Sequence, residues 1–204
     1  MKSLKCFFVM VCLFLSQQAI SKDFYGFIIT DIGFGVGSTD ESISDSLELS
    51  KNAFTYQAQL NYQYSFFRVG LGIAGFRLKE NDPDEYTLTY QNSGGTVGSQ
   101  TRFTVAAYNA SVGAQYSIIE DVVMSFDLMV VSDSASRRVG QCINCPETVF
   151  EPVVGIAFSP TIYYYLKQKK DDDFKLGIYA KYFYNSIDSA FYKQSFAMGL
   201  SMKI

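Results

Sequence analysis

Cys142 and Cys145, three positions apart, are the most chemically suggestive pair in this 204-residue chain. A CxxC pair can exchange disulfides, hold a metal or close a small ring. Redox exchange needs a thiol activated at a helix N-terminus, and no helix is indicated there. A metal site needs more ligands than two cysteines, and the chain contains no histidine. We therefore read Cys142 and Cys145 as a disulfide that stiffens a loop tip, with Pro146 fitting a tight turn. A ring this small adds only modest stability.

The missing histidine also weighs against catalysis, because its side chain is the one best suited to proton transfer near neutral pH. No Ser–Lys or paired-carboxylate spacing replaces it. Acidic residues do gather, at Asp40, Glu41, Asp45 and Glu48, and again at Glu80, Asp82, Asp84 and Glu85. They could attract divalent cations or a basic partner, but such runs are ordinarily solvated loops. Gly94, Gly95 and Gly98 read as a loop tip, since no helix follows to make a phosphate cradle. The net charge is −3 and basic clusters are absent, which gives no footing for nucleic acid. No enzymatic activity, cofactor or metal is expected.

The elements that carry these loops announce themselves by alternation. In Phe54 to Tyr64, Phe54, Tyr56, Ala58, Leu60, Tyr62 and Tyr64 are apolar or aromatic, and every residue between them is polar. A strand turns successive side chains to opposite faces, so this is a strand with one oily and one wet side. The same period recurs around Ile28–Val36, Phe67–Ile73, Tyr108–Tyr116, Met124–Val130, Val154–Leu166, Phe174–Tyr184 and Phe196–Ile204. Met129 and Val131 break it, and Pro160 predicts a local irregularity, since it lacks a ladder donor. Eight strands result. Their connections alternate between short, near 65, 118–121 and 167–173, and long, at 38–51, 80–100 and 134–148, with a smaller one at 185–191. Tyr86, Leu88 and Tyr90 suggest a hairpin extension of strands three and four.

Residues 1–21 read as a signal peptide: Lys2 and Lys5, an apolar run from Phe7 to Leu15, then Ala19-Ile20-Ser21 before the cleavage point. Residues 22–204 are then the mature domain, without Cys6 and Cys12, exported to an oxidising compartment.

Side-chain size decides which strand face points outward. An eight-stranded barrel has an interior just wide enough to be filled by side chains. The large apolar set would overfill it, whereas Gly, Ala, Ser, Asn and Gln fit. The apolar face therefore points out, toward lipid. Asp31, Arg68, Asp127, Glu151, Lys181 and Lys193 fall on the small-residue face and are expected to pair in the lumen.

With these features the chain resembles the small eight-stranded outer-membrane barrels of the OmpA/OmpX type. The last strand carries the most specific likeness: Gly199 followed by apolar Met202 and Ile204 looks like the signal read by the barrel-assembly machinery, although such chains usually end in Phe. The resemblance implies an all-β, antiparallel up-and-down transmembrane barrel in the outer membrane of a Gram-negative bacterium, monomeric and surrounded by outer-membrane lipids. It implies a non-enzymatic anchor whose loops serve adhesion or surface interaction with a host or cell-surface ligand. A narrow solute or ion pore is the alternative.

Overall fold

A computed structural model describes residues 26–47, 49–50, 52–79, 101–139, 147–166 and 174–204. Its strands are β1 (Phe27–Ser38), β2 (Ala53–Tyr64), β3 (Phe67–Lys79), β4 (Thr101–Ile119), β5 (Val122–Val139), β6 (Glu147–Val149), β7 (Val153–Tyr165), β8 (Lys175–Asn185) and β9 (Gln194–Lys203). One short helix, α1 (Glu41–Ser46), follows β1. The signal-peptide segment, Cys142, Cys145, residues 80–100 and the turn at 167–173 lie outside the described residues.

Every pairing is antiparallel, and sequential neighbours pair around the ring. β1 pairs with β9 from Ile29↔Lys203 to Ser38↔Gln194, so the sheet closes. The last residue completes the seam: Ile204 and Ile28 exchange backbone hydrogen bonds of 2.8 and 2.9 Å. Eight strands form the wall. β6 is a three-residue addition on the end of β5, where Arg138 pairs with Glu147. It was not expected, and neither was the length of β5. The connection expected at 134–148 is partly strand, because β5 runs on to Val139 against β4.

The Ser65–Phe66 turn requires a left-handed residue, and Ser65 adopts φ 56°. Pro160 sits inside β7 opposite Phe126 of β5. On its other side, the β7–β8 pairing lapses at Ser159 and Pro160 but resumes in the same register. Ser159 Oγ donates to the Tyr182 carbonyl at 2.8 Å, replacing the bond that proline cannot make.

The exterior is apolar. Ile32, Phe34, Leu128, Ile156, Met198 and Leu200 are each at least half exposed. An apolar belt of this extent is the exterior of a protein solvated by lipid. It has an edge. The outward residues of β5 run Met124, Phe126, Leu128 and Val130, then change to Ser132, Ser134 and Ser136. Ser132 lies beside Tyr108, and Tyr108 beside Ile73, so the apolar surface ends at matching places on three strands.

The interior has two layers. Toward the short turns it is mixed, polar and charged side chains packing with a buried cluster of Ile29, Val123, Tyr163, Tyr165 and Tyr179. Toward the long loops it is apolar: Phe76, Leu78, Phe103, Val105, Met129, Val131 and Phe183 are buried there. This corrects the expectation that small and polar residues dominate the inward face. Met129 and Val131, which broke the alternation, point inward because the wall here encloses a hydrophobic core.

The seam also explains Gly199. It lies opposite Gly33, and a Cβ on it would collide with the Ile32 carbonyl oxygen and sit 2.5 Å from Gly33 Cα. Gly199→Val is expected to lose about 1–3 kcal/mol through this overlap. Refolding of the purified variant into detergent, read as the heat-modifiable gel band, should show a reduced folded fraction. Full refolding of the purified variant would show that the seam tolerates a side chain.

Candidate functional site

The polar layer is built around Arg68, near the start of β3, whose side chain is 1% exposed. Its Nε pairs with Asp127 Oδ1 of β5 at 3.1 Å, and its Nη2 lies 3.9 Å from Asp31 Oδ2 of β1. The guanidinium also donates to Gln115 of β4 at 3.2 Å and to the Tyr163 hydroxyl of β7 at 3.1 Å. Tyr163 in turn donates to Asp31 Oδ2 at 2.8 Å, and Asn61 donates to the same oxygen at 3.3 Å. One planar fork thus ties five strands together across the lumen.

Lys181 of β8 is buried beside this group and donates to Gln59. Gln59 donates onward to Asn61 at 3.0 Å and to Ser111 at 3.2 Å. Two carboxylates and two cations therefore share one desolvated layer, linked by amides and hydroxyls. Such a layer is sound while every member is present and costly once one is removed.

Four of the six expected lumen charges meet here: Asp31, Arg68, Asp127 and Lys181. Glu151 and Lys193 do not. Glu151 is exposed, in the connection between β6 and β7, because β7 begins only at Val153. Lys193 lies in the connection between β8 and β9, at the long-loop rim. Its Nζ donates to the Ile187 carbonyl at 2.7 Å and pairs with Asp40 at 3.4 Å and Asp188 at 3.5 Å. Asp40 also caps α1, accepting from Ser42 N at 3.1 Å and Ser42 Oγ at 2.7 Å. Partial burial pushes the Asp40 carboxyl up, but the Ser42 bonds and the Lys193 ammonium outweigh it and hold the group below its ordinary value.

Above the charged layer, Ala190, Phe191 and Tyr192 of the connection between β8 and β9 turn into the barrel. Tyr192 is 1% exposed, with its ring centroid 5.2 Å from Phe76 and 5.0 Å from Phe183. Its hydroxyl bonds Ser195 at 2.8 Å and Thr55 at 3.0 Å. Its backbone N–H donates to buried Asp133 at 2.8 Å. Phe191 packs against Phe103 and Phe150, with centroids 6.2 and 5.6 Å away. Between plug and polar layer lies a void of about 10 Å³, lined by Gln57, Gln59, Asn109, Lys181 and Tyr192 among others. That is about the space of one water. No group of three or more metal-ligating side chains converges among the described residues.

Sequence reasoning missed Tyr163, Asp133 and the plug. The inward parity of β7 and β8 would have found Tyr163, Tyr165, Tyr179 and Phe183, since each falls between the outward apolar positions. Residues 186–193 carry no period, so nothing local marked Phe191 and Tyr192 as interior. Gly199 faces the seam, Met202 lies between exposed and buried, and Ile204 is exposed at the short-turn end. The CxxC pair falls outside the described residues.

No known family matches the chain, and no curated protein matches it. Solved structures do. Neisserial surface protein A (NspA) superposes with a TM-score of 0.54 at 11% identity, over 87% of this chain and 96% of that one. Ail, the attachment invasion locus protein of Yersinia pestis, solved in complex with the heparin analogue sucrose octasulfate, superposes with a TM-score of 0.53 at 14% identity. The match spans 88% of this chain and 99% of Ail. At these identities the likeness is one of fold, and it agrees with the closed wall and apolar exterior: the chain has the fold of the small eight-stranded outer-membrane barrels.

Proposed function

We propose that this protein is an integral outer-membrane barrel that acts as a non-enzymatic anchor, presenting its long loops for adhesion or surface interaction. The observation that carries this reading is the filled interior. A pore needs a continuous water path, yet the aromatic plug stands over a cross-linked charged layer, with about 10 Å³ between them. Arg68, Asp31, Asp127, Gln115 and Tyr163 of that layer are buried and bonded to one another. What remains available for recognition is the long-loop end. The superposition with Ail, a protein solved with a bound heparin analogue, supports the reading by analogy of fold alone. Export through residues 1–21, insertion guided by the last strand, and a monomeric state among outer-membrane lipids belong to the same proposal.

Two measurements test it together. Purified protein in planar bilayers should show no steady single-channel conductance, and steady conductance would overturn the anchor reading. Deletion of the long loops, one at a time, should reduce binding of protein-displaying cells to host cells or matrix. Unchanged binding across the whole series would remove the adhesion reading.

A further inference from the structure

The outer wall of β8, β9 and β1 changes character within one row. Val36, Phe196 and Tyr182 lie side by side, and Val36 and Phe196 are 54% and 52% exposed. The next outward row is Ser38, Gln194 and Tyr184, about 7 Å further along the strands. Just beyond it the chain leaves β1 through Thr39 and Asp40 into α1, while Asp188 and Lys193 approach from the loop after β8. Together with Asn52 before β2 they enclose a cleft of about 550 Å³. That lies within the usual range for a small-molecule site.

The lining excludes several ligand classes. None of the described residues around the cleft is aliphatic and Tyr184 alone is aromatic, so polar side chains dominate the lining. Three carboxylates, Asp40, Glu41 and Asp188, face one ammonium, Lys193, which disfavours polyanions. Both ends of the Asp40 carboxylate are already engaged, by Ser42 and by Lys193. What stays available are mixed donors and acceptors. Glu41 and Asn52 are exposed, and Gln194 accepts from the Tyr182 hydroxyl through its carbonyl oxygen. Thr39 lines the same cleft and is 5% exposed, yet its buried hydroxyl has no hydrogen-bond partner among the described residues. A buried hydroxyl without a partner is costly unless something bonds it.

We propose that this cleft binds the saccharide part of a neutral or amino-sugar ligand through Thr39, Glu41, Asn52 and Gln194. Adjacent sugar hydroxyls donate to a carboxylate and accept from amide N–H groups, the mixture the cleft offers. Its place one row above the apolar exterior suits either a free glycan or the sugar headgroup of a membrane lipid. The inference rests on the interaction-surface reading above and names a ligand class for it.

The test uses the full barrel in nanodiscs against neutral, amino-bearing and sulfated oligosaccharides. One arm offers them free in solution, the other as glycolipids in the same disc; the arm that binds identifies the source. Neutral or amino-bearing members should bind and sulfated ones should not. Thr39→Val, Asn52→Ala and Gln194→Ala should each weaken binding about 5- to 10-fold, the worth of one hydrogen bond. Thr39→Val is the sharpest variant: it removes a hydroxyl with no partner among the described residues, so heat-modifiable migration should be unchanged while binding falls. Absence of binding in both arms, binding of sulfated members alone, or wild-type affinity in the triple variant would each overturn the site. If loop deletions abolish cell binding while the saccharide panel is negative, the interaction surface stands and this cleft falls. If neither assay responds, both readings fall.

Discussion

Replacing Arg68 with alanine is expected to cost about 3–5 kcal/mol of folding stability, the largest single effect in the polar layer. The loss comes from what stays behind as much as from what leaves. Asp127 and Asp31 are 0% and 2% exposed, and without the guanidinium their charges sit in the lumen beside Lys181 alone. Gln115 and Tyr163 lose their shared donor at the same stroke. Domains are stable by roughly 5–15 kcal/mol, so the folded-to-unfolded ratio should fall by about two to four orders of magnitude. Denaturant unfolding in detergent, followed by gel migration, measures this directly. Arg68→Lys should fall between, since it keeps the charge but cannot engage Asp127, Asp31, Gln115 and Tyr163 with one planar group. The double change Arg68→Met, Asp127→Asn should recover most of the loss, because it removes one charge of each sign and leaves Asp31 to balance buried Lys181. An Arg68→Ala variant within 1 kcal/mol of the parent would show that the layer is solvated and the ion pairs are incidental.

That layer was half legible from the sequence. Asp31, Arg68, Asp127 and Lys181 sit at wet positions of clearly alternating strands, and alternation transmits directly into facing. Glu151 and Lys193 misled because parity was carried past strand ends: beyond Val153 and Gln194 the two-residue period no longer dictates direction. The amides and Tyr163 escaped for another reason. Facing says that a side chain points inward, but partnership depends on register between strands distant in sequence, such as Asp31 and Tyr163, 132 residues apart. The double-sided strand segments are subtler. Where the wall continues beyond the lipid edge, the rule of large residues outside reverses: Met129 and Val131 go in, and Ser132 and Ser134 go out. A change of solvent from lipid to water along one strand inverts the pattern, and the two exceptions to alternation in β5 were its trace.

Tyr192→Ala is expected to cost about 3–5 kcal/mol as well, by a different route. The ring fills space between Phe76 and Phe183, and its removal leaves a cavity in the apolar layer. It also deprives Ser195 and Thr55 of a partner. Tyr192→Phe separates the two contributions, keeping the packing and losing only the hydroxyl bonds, for about 1–2 kcal/mol. The ratio of the two losses in denaturant unfolding reports how far the plug is held by packing and how far by polar latches. Equal losses would mean that the ring contributes nothing beyond its hydroxyl. The same variant separates plug from barrier. Below Tyr192 the Arg68 layer still spans the lumen, with side chains from five strands bonded across it. Tyr192→Ala in planar bilayers should therefore remain without steady conductance despite its lower stability. A channel opened by this one substitution would mean that the aromatic plug alone closes the barrel, and that the charged layer beneath it is permeable to water and ions.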